Sequence, residues 1–276
     1  FTFSIDLILN GYSMQLCYNL EKEAGMELKF FDCNCSIGRT NITHPGSFDS
    51  PEVLLEKMSE YGISNALVYH AVARDHFPAE GNPMIDDIAA KHENIHPVWV
   101  VLPHHTGEFP NPAVLVNEMK KHNVRAVRIF PSPQRHNYSL KKYSAGSLLD
   151  MLEADRIPLF VDIDEIGWTN IDTLLNDYRN LPVVLCNTGY RADRYIYPLM
   201  KTYENLYVET SRLLSHFGIE ALAKAVGSDR ILFGTSLPLF TGSGAVYYIK
   251  KLMLPDEDKS RIASGNLERL LSEVRL

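Results

Sequence analysis

The sequence predicts an α/β fold of the (β/α)8 TIM-barrel type, in a single domain with an N-terminal extension. Three observations predict it. From residue 28 onward, short apolar runs rich in β-branched and aromatic residues alternate with longer amphipathic segments, the pattern of parallel βα units. Eight such runs occur, and eight is the number that closes a barrel. The 276 residues suffice for one barrel, which takes roughly 250, and they carry no fixed-period repeat or low-complexity linker.

The expected strands are residues 28–33, 66–70, 96–102, 126–130, 158–162, 183–187, 206–209 and 231–234. Their near-continuous apolar character suits strands covered on both faces. The first helix is the best marked. Ser50 is a natural N-cap, Pro51 suits the first helical position, and Val53, Leu54, Met58 and Tyr61 recur at helical spacing before Gly62. Further helices are expected near 83–92, 111–122, 147–154, 171–179, 195–203, 214–226, 245–252 and 256–264. An open doubly wound sheet would bring a Gly-rich phosphate loop after an early strand, and the sequence has none.

Residues 1–25 precede the first convincing strand and are read as the extension, with residues 26–276 as the barrel domain. The opening residues contain Asp6 and lack the basic start and small-residue cleavage site of a signal peptide. A net charge of −7 speaks against a nucleic-acid partner, and no run of about 18 apolar residues predicts a membrane span. Four cysteines, Cys17, Cys33, Cys35 and Cys186, make no disulfide scaffold, so a reducing cytoplasm is expected. On a regular strand Cys33 and Cys35 would share a face, as a soft-metal pair or as small buried side chains.

Two stretches carry a resemblance. Residues 31–38 read Phe-Asp-Cys-Asn-Cys-Ser-Ile-Gly, and residues 231–239 read Ile-Leu-Phe-Gly-Thr-Ser-Leu-Pro-Leu. They resemble the first and last strands of the amidohydrolase superfamily, in its amidohydrolase-related, decarboxylase-like subgroup of metal-dependent hydrolases. There the first strand ends D-x-H-x-H-x-G and the last ends F-G-S-D-x-P. Asp32, Gly38, Phe233, Gly234 and Pro238 keep that frame, whereas Asn34 and Ser36 stand at the two histidines and Ser236 at the aspartate. The stretches Ile157-Pro158-Leu159-Phe160-Val161-Asp162, Leu181 to Gly189 and Gly265 to Leu271 match further motifs in the same order.

The resemblance implies metal-assisted hydrolysis or decarboxylation of a small acid, a small-molecule ligand or substrate, and a homodimer. It places the metal-binding or catalytic positions at Asn34, Ser36, Asp162, Asn187 and Ser236. A catalytic zinc takes about three His, Cys or carboxylate ligands. Only Asp162 is of that kind, so no metal and no cofactor are expected, and with them goes the acidified water of the usual mechanism.

Barrel enzymes place their chemistry at the C-terminal ends of strands. His70 closes the second strand and is a candidate base. His104 follows the third and is a candidate binding residue. Arg128 should point inward and needs a carboxylate, either Asp162, Glu209 or an anionic ligand. Asp162 and Asp164 share strand parity and, with Glu209, form a candidate cation site. A Ser236–His70–Asp162 triad and an Asp162–Glu209 acid–base pair are weaker alternatives. Two functions remain open: a hydrolase or decarboxylase-like enzyme using Asp162, His70 and Arg128, with Asn34, Asn187, Glu209 and Ser236 contacting substrate, or a non-catalytic barrel for small-molecule binding or assembly.

Overall fold

The computed structural model describes residues 27–276 except residue 214, together with the short antiparallel strands Ile8–Leu9 and Tyr12–Ser13. The reading of residues 1–25 as an extension otherwise falls outside the described residues.

The barrel strands are β1 (Phe30–Ile37), β2 (Ile63–His70), β3 in two pieces (Ile95–Pro97 and Trp99–Val100), β4 (Val127–Ile129), β5 (Leu159–Asp162), β6 (Val183–Cys186), β7 (Leu206–Glu209) and β8 (Ile231–Leu232). Neighbours pair in parallel in chain order. The barrel closes where Cys35 bridges Leu237, with Cys33 N–H donating to Phe233 O and Ser36 N–H to Leu237 O, both at 2.9 Å. The expected (β/α)8 barrel is therefore the fold, and all eight strands fall within a few residues of their expected positions.

Side-chain parity builds two layers of core. Phe31, Leu67, Val100, Phe130, Phe160, Val184 and Leu232 fill the barrel interior. Phe30, Val68, Val127, Ile129, Val161 and Val208 face the helices. Leu267 and Leu270 of the closing helix Asn266–Ser272 join the interior cluster, so this helix plugs the end opposite the strand C-termini.

The first helix is Pro51–Tyr61, with Ser50 accepting from Val53 N–H and Gly62 ending it at a φ of 75°. The helix expected near 83–92 instead runs Pro78–Ala89, because Pro78 at its start sets the first turn and Pro83 is accommodated inside. Asn82 explains why this helix sits where it does. Its Nδ2 donates to Val100 O at 2.9 Å and its Oδ1 accepts from Val100 N–H at 3.0 Å, at the C-terminal end of β3. Replacing Asn82 by Leu should leave both Val100 groups unpaired and cost about 2–4 kcal/mol, read as a lowered denaturation midpoint at unchanged slope.

One expectation about β1 is overturned. Cys33 lies in the interior and Cys35 in the outer core, because a register shift between Asp32 and Cys35 breaks the two-residue alternation. The two thiols are buried, and burial pushes both well up from the ordinary thiol range.

Candidate functional site at the barrel mouth

The β1 irregularity turns Asn34 inward at the C-terminal end of the barrel. Arg128 also faces inward, since Val127 and Ile129 face the helices. Asp162 ends β5 and Asn187 directly follows β6. Ser236 follows β8, and Glu209 ends β7.

Five of these side chains form a closed hydrogen-bonded ring. Arg128 Nη1 donates to Asn34 Oδ1 at 2.8 Å and Nη2 to Asp162 Oδ1 at 2.5 Å. Asn34 Nδ2 donates to Ser236 Oγ at 2.8 Å. Ser236 Oγ donates to Asn187 Oδ1 at 2.8 Å, and Asn187 Nδ2 donates to Asp162 Oδ1 at 2.8 Å. A guanidinium has only donors and a carboxylate only acceptors, so these two fix the direction of every bond between them, including the orientation of both amides. Asn187 and Ser236 adopt left-handed backbone conformations, with φ of 52° and 58°. That conformation is unfavourable for a serine and is held by the surrounding bonds.

Ser211 and Glu209 buttress the ring from one side. Ser211 Oγ lies 3.0 Å from Ser236 Oγ and donates to Glu209 Oε1 at 2.7 Å. Glu209 also accepts from Asn187 N–H and Ser211 N–H, each at 2.7 Å. It is fully buried, and burial raises its pKa against the opposing pull of those hydrogen bonds. Asp32 is likewise raised by burial. It accepts from Asn34 N–H and Thr235 N–H, both at 3.0 Å, and from the Thr235 hydroxyl, tying the first strand to the last.

Arg128 is 2% exposed. Burial is the largest single influence and opposes its charge, but Asp162 together with Cys186, Tyr69 and Glu209 outweighs it and holds the guanidinium above its ordinary value. The rings of Tyr69 and Phe130 lie 4.9 and 5.5 Å from its centre and add cation–π support.

Asn34, Arg128, Asp162, Asn187 and Ser236 thus come together, with Glu209 attached through Ser211. Of the two carboxylates open to Arg128, Asp162 is its partner. Other expectations fail. The chain turns helical at Ile163, so Asp164 loses strand parity with Asp162 and is exposed on the segment Ile163–Ile166. No group of three or more His, Cys, Asp or Glu side chains suited to a metal ion occurs among the described residues, so Asp162, Asp164 and Glu209 assemble no cation site.

His70 and His104 stand outside the ring. His70 Nδ1 accepts from Val72 N–H at 3.2 Å and caps the helix Ala71–Asp75, while its ring packs so closely on Gly38 that an added Cβ would lie 2.5 Å away. Ser236 bonds to Asn34, Asn187 and Ser211, with no bond to His70, so the triad does not form. His104 lies in the loop after β3, its ring 4.7 Å from that of His105 and its buried Nδ1 unpartnered. Sequence reasoning passed over Tyr69 and Phe130, whose inward parity was readable. It also passed over His136, which stands edge-on to Phe130 at 6.2 Å with both ring nitrogens buried and without a partner among the described residues.

The capping role of His70 gives a pH dependence. Burial holds its pKa below the ordinary histidine value. Only the neutral ring can accept from Val72 N–H, so its contribution is complete above the unfolded-state pKa and is lost as pH falls through the depressed folded value. His70→Asn supplies a cap that does not titrate in this range. It should keep stability at pH 8 and remove about 1 kcal/mol of the loss between pH 8 and pH 5, measured by urea denaturation at both values.

The mouth is edged by basic and aromatic groups on the loops. Arg39 is exposed after β1, and the Arg212 guanidinium lies 5.7 Å over Phe240. Arg191 lies 5.5 Å over the exposed Tyr190. A cavity of about 250 Å³ over the ends of β1 and β8 is lined by Arg39, Thr40, Phe48 and Pro238 among others.

Comparison with known proteins agrees with this architecture. Residues 47–272 match the family model described as amidohydrolase. No curated protein matches the chain. An uncharacterized TIM-barrel protein from Bordetella bronchiseptica superposes with a TM-score of 0.70 at 20% identity, over 89% of this chain and 99% of that one. A 2,6-dihydroxybenzoate decarboxylase from Rhizobium gives 0.66 at 14% identity, over 89% and 99%. A 5-carboxyvanillate decarboxylase from Novosphingobium aromaticivorans, solved with bound manganese, gives 0.70 at 13% identity, over 89% and 97%. At these identities the likeness to the solved structures establishes the fold.

Proposed function

The chain belongs to the amidohydrolase family, and from that membership we propose a metal-independent barrel that binds a small anionic molecule at its mouth. The observation that carries the reading is the closed ring of Arg128, Asn34, Ser236, Asn187 and Asp162. The residues present do not fit a divalent ion. Two amides and a hydroxyl add little charge compensation, and the one strong ligand in the ring, Asp162, already faces a guanidinium through Oδ1. Glu209, the other carboxylate, spends both oxygens on Asn187 and Ser211. No hydrolytic or decarboxylating step is therefore routed through a metal-bound group.

Arg128 contributes structure in this reading, since its charge is satisfied by Asp162. The ligand's negative charge falls to the edge of the mouth, where Arg39, Arg191 and Arg212 stand beside Tyr190 and Phe240. An aromatic acid suits that mixture of guanidinium and ring faces. The decarboxylase neighbours are named for substrates of that kind.

A second reading, metal-free turnover, is favoured by one observation. The Asp162 side chain is 19% exposed and only its Oδ1 takes hydrogen bonds among the described residues, leaving Oδ2 able to accept a proton from a bound molecule.

The test is paired binding and turnover on a panel of small aromatic acids, keto acids and lactones, each with and without added manganese or zinc. The expected result is saturable binding of acids in metal-free buffer, with no turnover that added metal stimulates. Metal-stimulated turnover overturns the proposal, and metal-free turnover abolished by Asp162→Asn selects the second reading.

A further inference from the structure

A separate cavity opens between the loop that follows β4 and the helix Trp168–Asp177 that follows β5. Its volume of about 380 Å³ lies in the range of small-molecule sites, and it shares no lining residue with the ring at the mouth.

Its polar wall includes open acceptors and two carboxylates. Asn170 Nδ2 donates to Ile166 O at 2.9 Å, Thr173 Oγ1 to Thr169 O at 3.1 Å, and Tyr138 Oη to Val101 O at 3.4 Å. Three lining side chains thereby each spend a donor on a backbone carbonyl and keep acceptor capacity, Asn170 also retaining a second N–H. Glu165 adds a carboxylate, 13% exposed, whose Oε2 accepts from Ser132 N–H at 3.1 Å while Oε1 makes a long ion pair with Arg135 Nε at 3.8 Å. Asp177 adds a second carboxylate, against the single cationic lining residue Lys141. Tyr178 is 2% exposed and its hydroxyl has no partner among the described residues, an arrangement that costs free energy unless a ligand or water completes it. Ile166 and Leu174 make the remaining wall apolar.

A site rich in acceptors, carrying excess negative charge and apolar surface, selects a ligand with the opposite properties. We propose that this cavity binds a small organic cation: a primary amine carried on an apolar body. The ammonium donates to Glu165 and to the neighbouring oxygen acceptors, and the body lies against Ile166 and Leu174. Burial pushes the Tyr178 phenol up to about 12, so it stays neutral at physiological pH and accepts as well as donates. The site is independent of anion binding at the mouth, so either can fail without the other.

The experiment is isothermal titration calorimetry of the whole chain with 2-phenylethylamine, its neutral analogue 2-phenylethanol and the anion 3-phenylpropionate. The amine should bind saturably and the alcohol about tenfold more weakly, the difference expected when a charge-assisted hydrogen bond is lost. The acid should not compete with bound amine. Glu165→Gln keeps an acceptor for Ser132 N–H, and it should weaken the amine about tenfold and erase its preference over the alcohol. Tyr178→Phe, which removes one hydroxyl, should weaken the amine in the same direction. The proposal is overturned by no saturable amine binding, by equal affinity for amine and alcohol, by displacement of the amine by the acid, or by a folded Glu165→Gln variant that binds as the parent does.

Discussion

Replacing Arg128 with Met should cost the fold about 3–5 kcal/mol, the usual penalty for breaking a buried ion pair by removing one partner. Methionine is long enough to fill much of the space between Tyr69 and Phe130, so the loss is electrostatic more than volumetric. The variant leaves Asn34 Oδ1 without its donor and Asp162 without its counter-charge. Denaturation with urea would show a lower midpoint at unchanged slope. The double variant with Asp162→Asn should recover part of the loss, because the stranded carboxylate is then gone. A coupling near zero would mean that the guanidinium and Asp162 are not a working pair. If Arg128→Met also abolishes anion binding while Arg39→Ala and Arg212→Ala leave it intact, the charge belongs to ligand binding and the structural role assigned to it is wrong.

Gly234→Ala should be nearly as damaging. A Cβ at this position would collide with Glu209 Oε2 and lie 3.3 Å from Asn34 Cβ. Neither neighbour can step aside. Glu209 is fixed by the Asn187 N–H, the Ser211 N–H and the Ser211 hydroxyl, and Asn34 is fixed by the ring. The added methyl costs about 3 kcal/mol, at the upper end for overpacking, because it displaces a buried carboxylate along with its bonds. Shortening the carboxylate in Gly234→Ala/Glu209→Asp should be less destabilising than the sum of the two single changes. Strict additivity would mean that the close approach at Gly234 is not what makes the glycine necessary.

Most of the barrel was legible in the sequence because apolar runs and caps are local signals. Ser50, Pro51 and Gly62 mark the first helix within the helix itself. The inward direction of Arg128 followed from the parity of its two neighbours. The partner of Arg128 was not legible, because choosing between Asp162 and Glu209 depends on where β5 and β7 end in space. The β1 irregularity was also hidden. It turns on hydrogen bonds from Asn34 N–H and Thr235 to Asp32, about two hundred residues away in the second case, and it moves Cys33 and Cys35 to opposite layers. His70 read as a base because a histidine at a strand end invites that role. Its Nδ1 instead completes the first turn of the helix it precedes, a local motif that histidine rarely supplies. The exposure of Asp164 followed from a switch to helix one residue beyond β5, where the sequence shows no breaker.

Under the proposed reading, two amides, a hydroxyl and the Asp162 carboxylate at the barrel mouth satisfy one another and Arg128, and they hold no metal ion. The direct measurement is elemental analysis by inductively coupled plasma mass spectrometry on chain produced with zinc and manganese in the medium and purified without chelator. The account predicts far less than one transition-metal ion per chain and no gain in melting temperature when either metal is added back. One ion per chain, lost on Asp162→Asn, would contradict it.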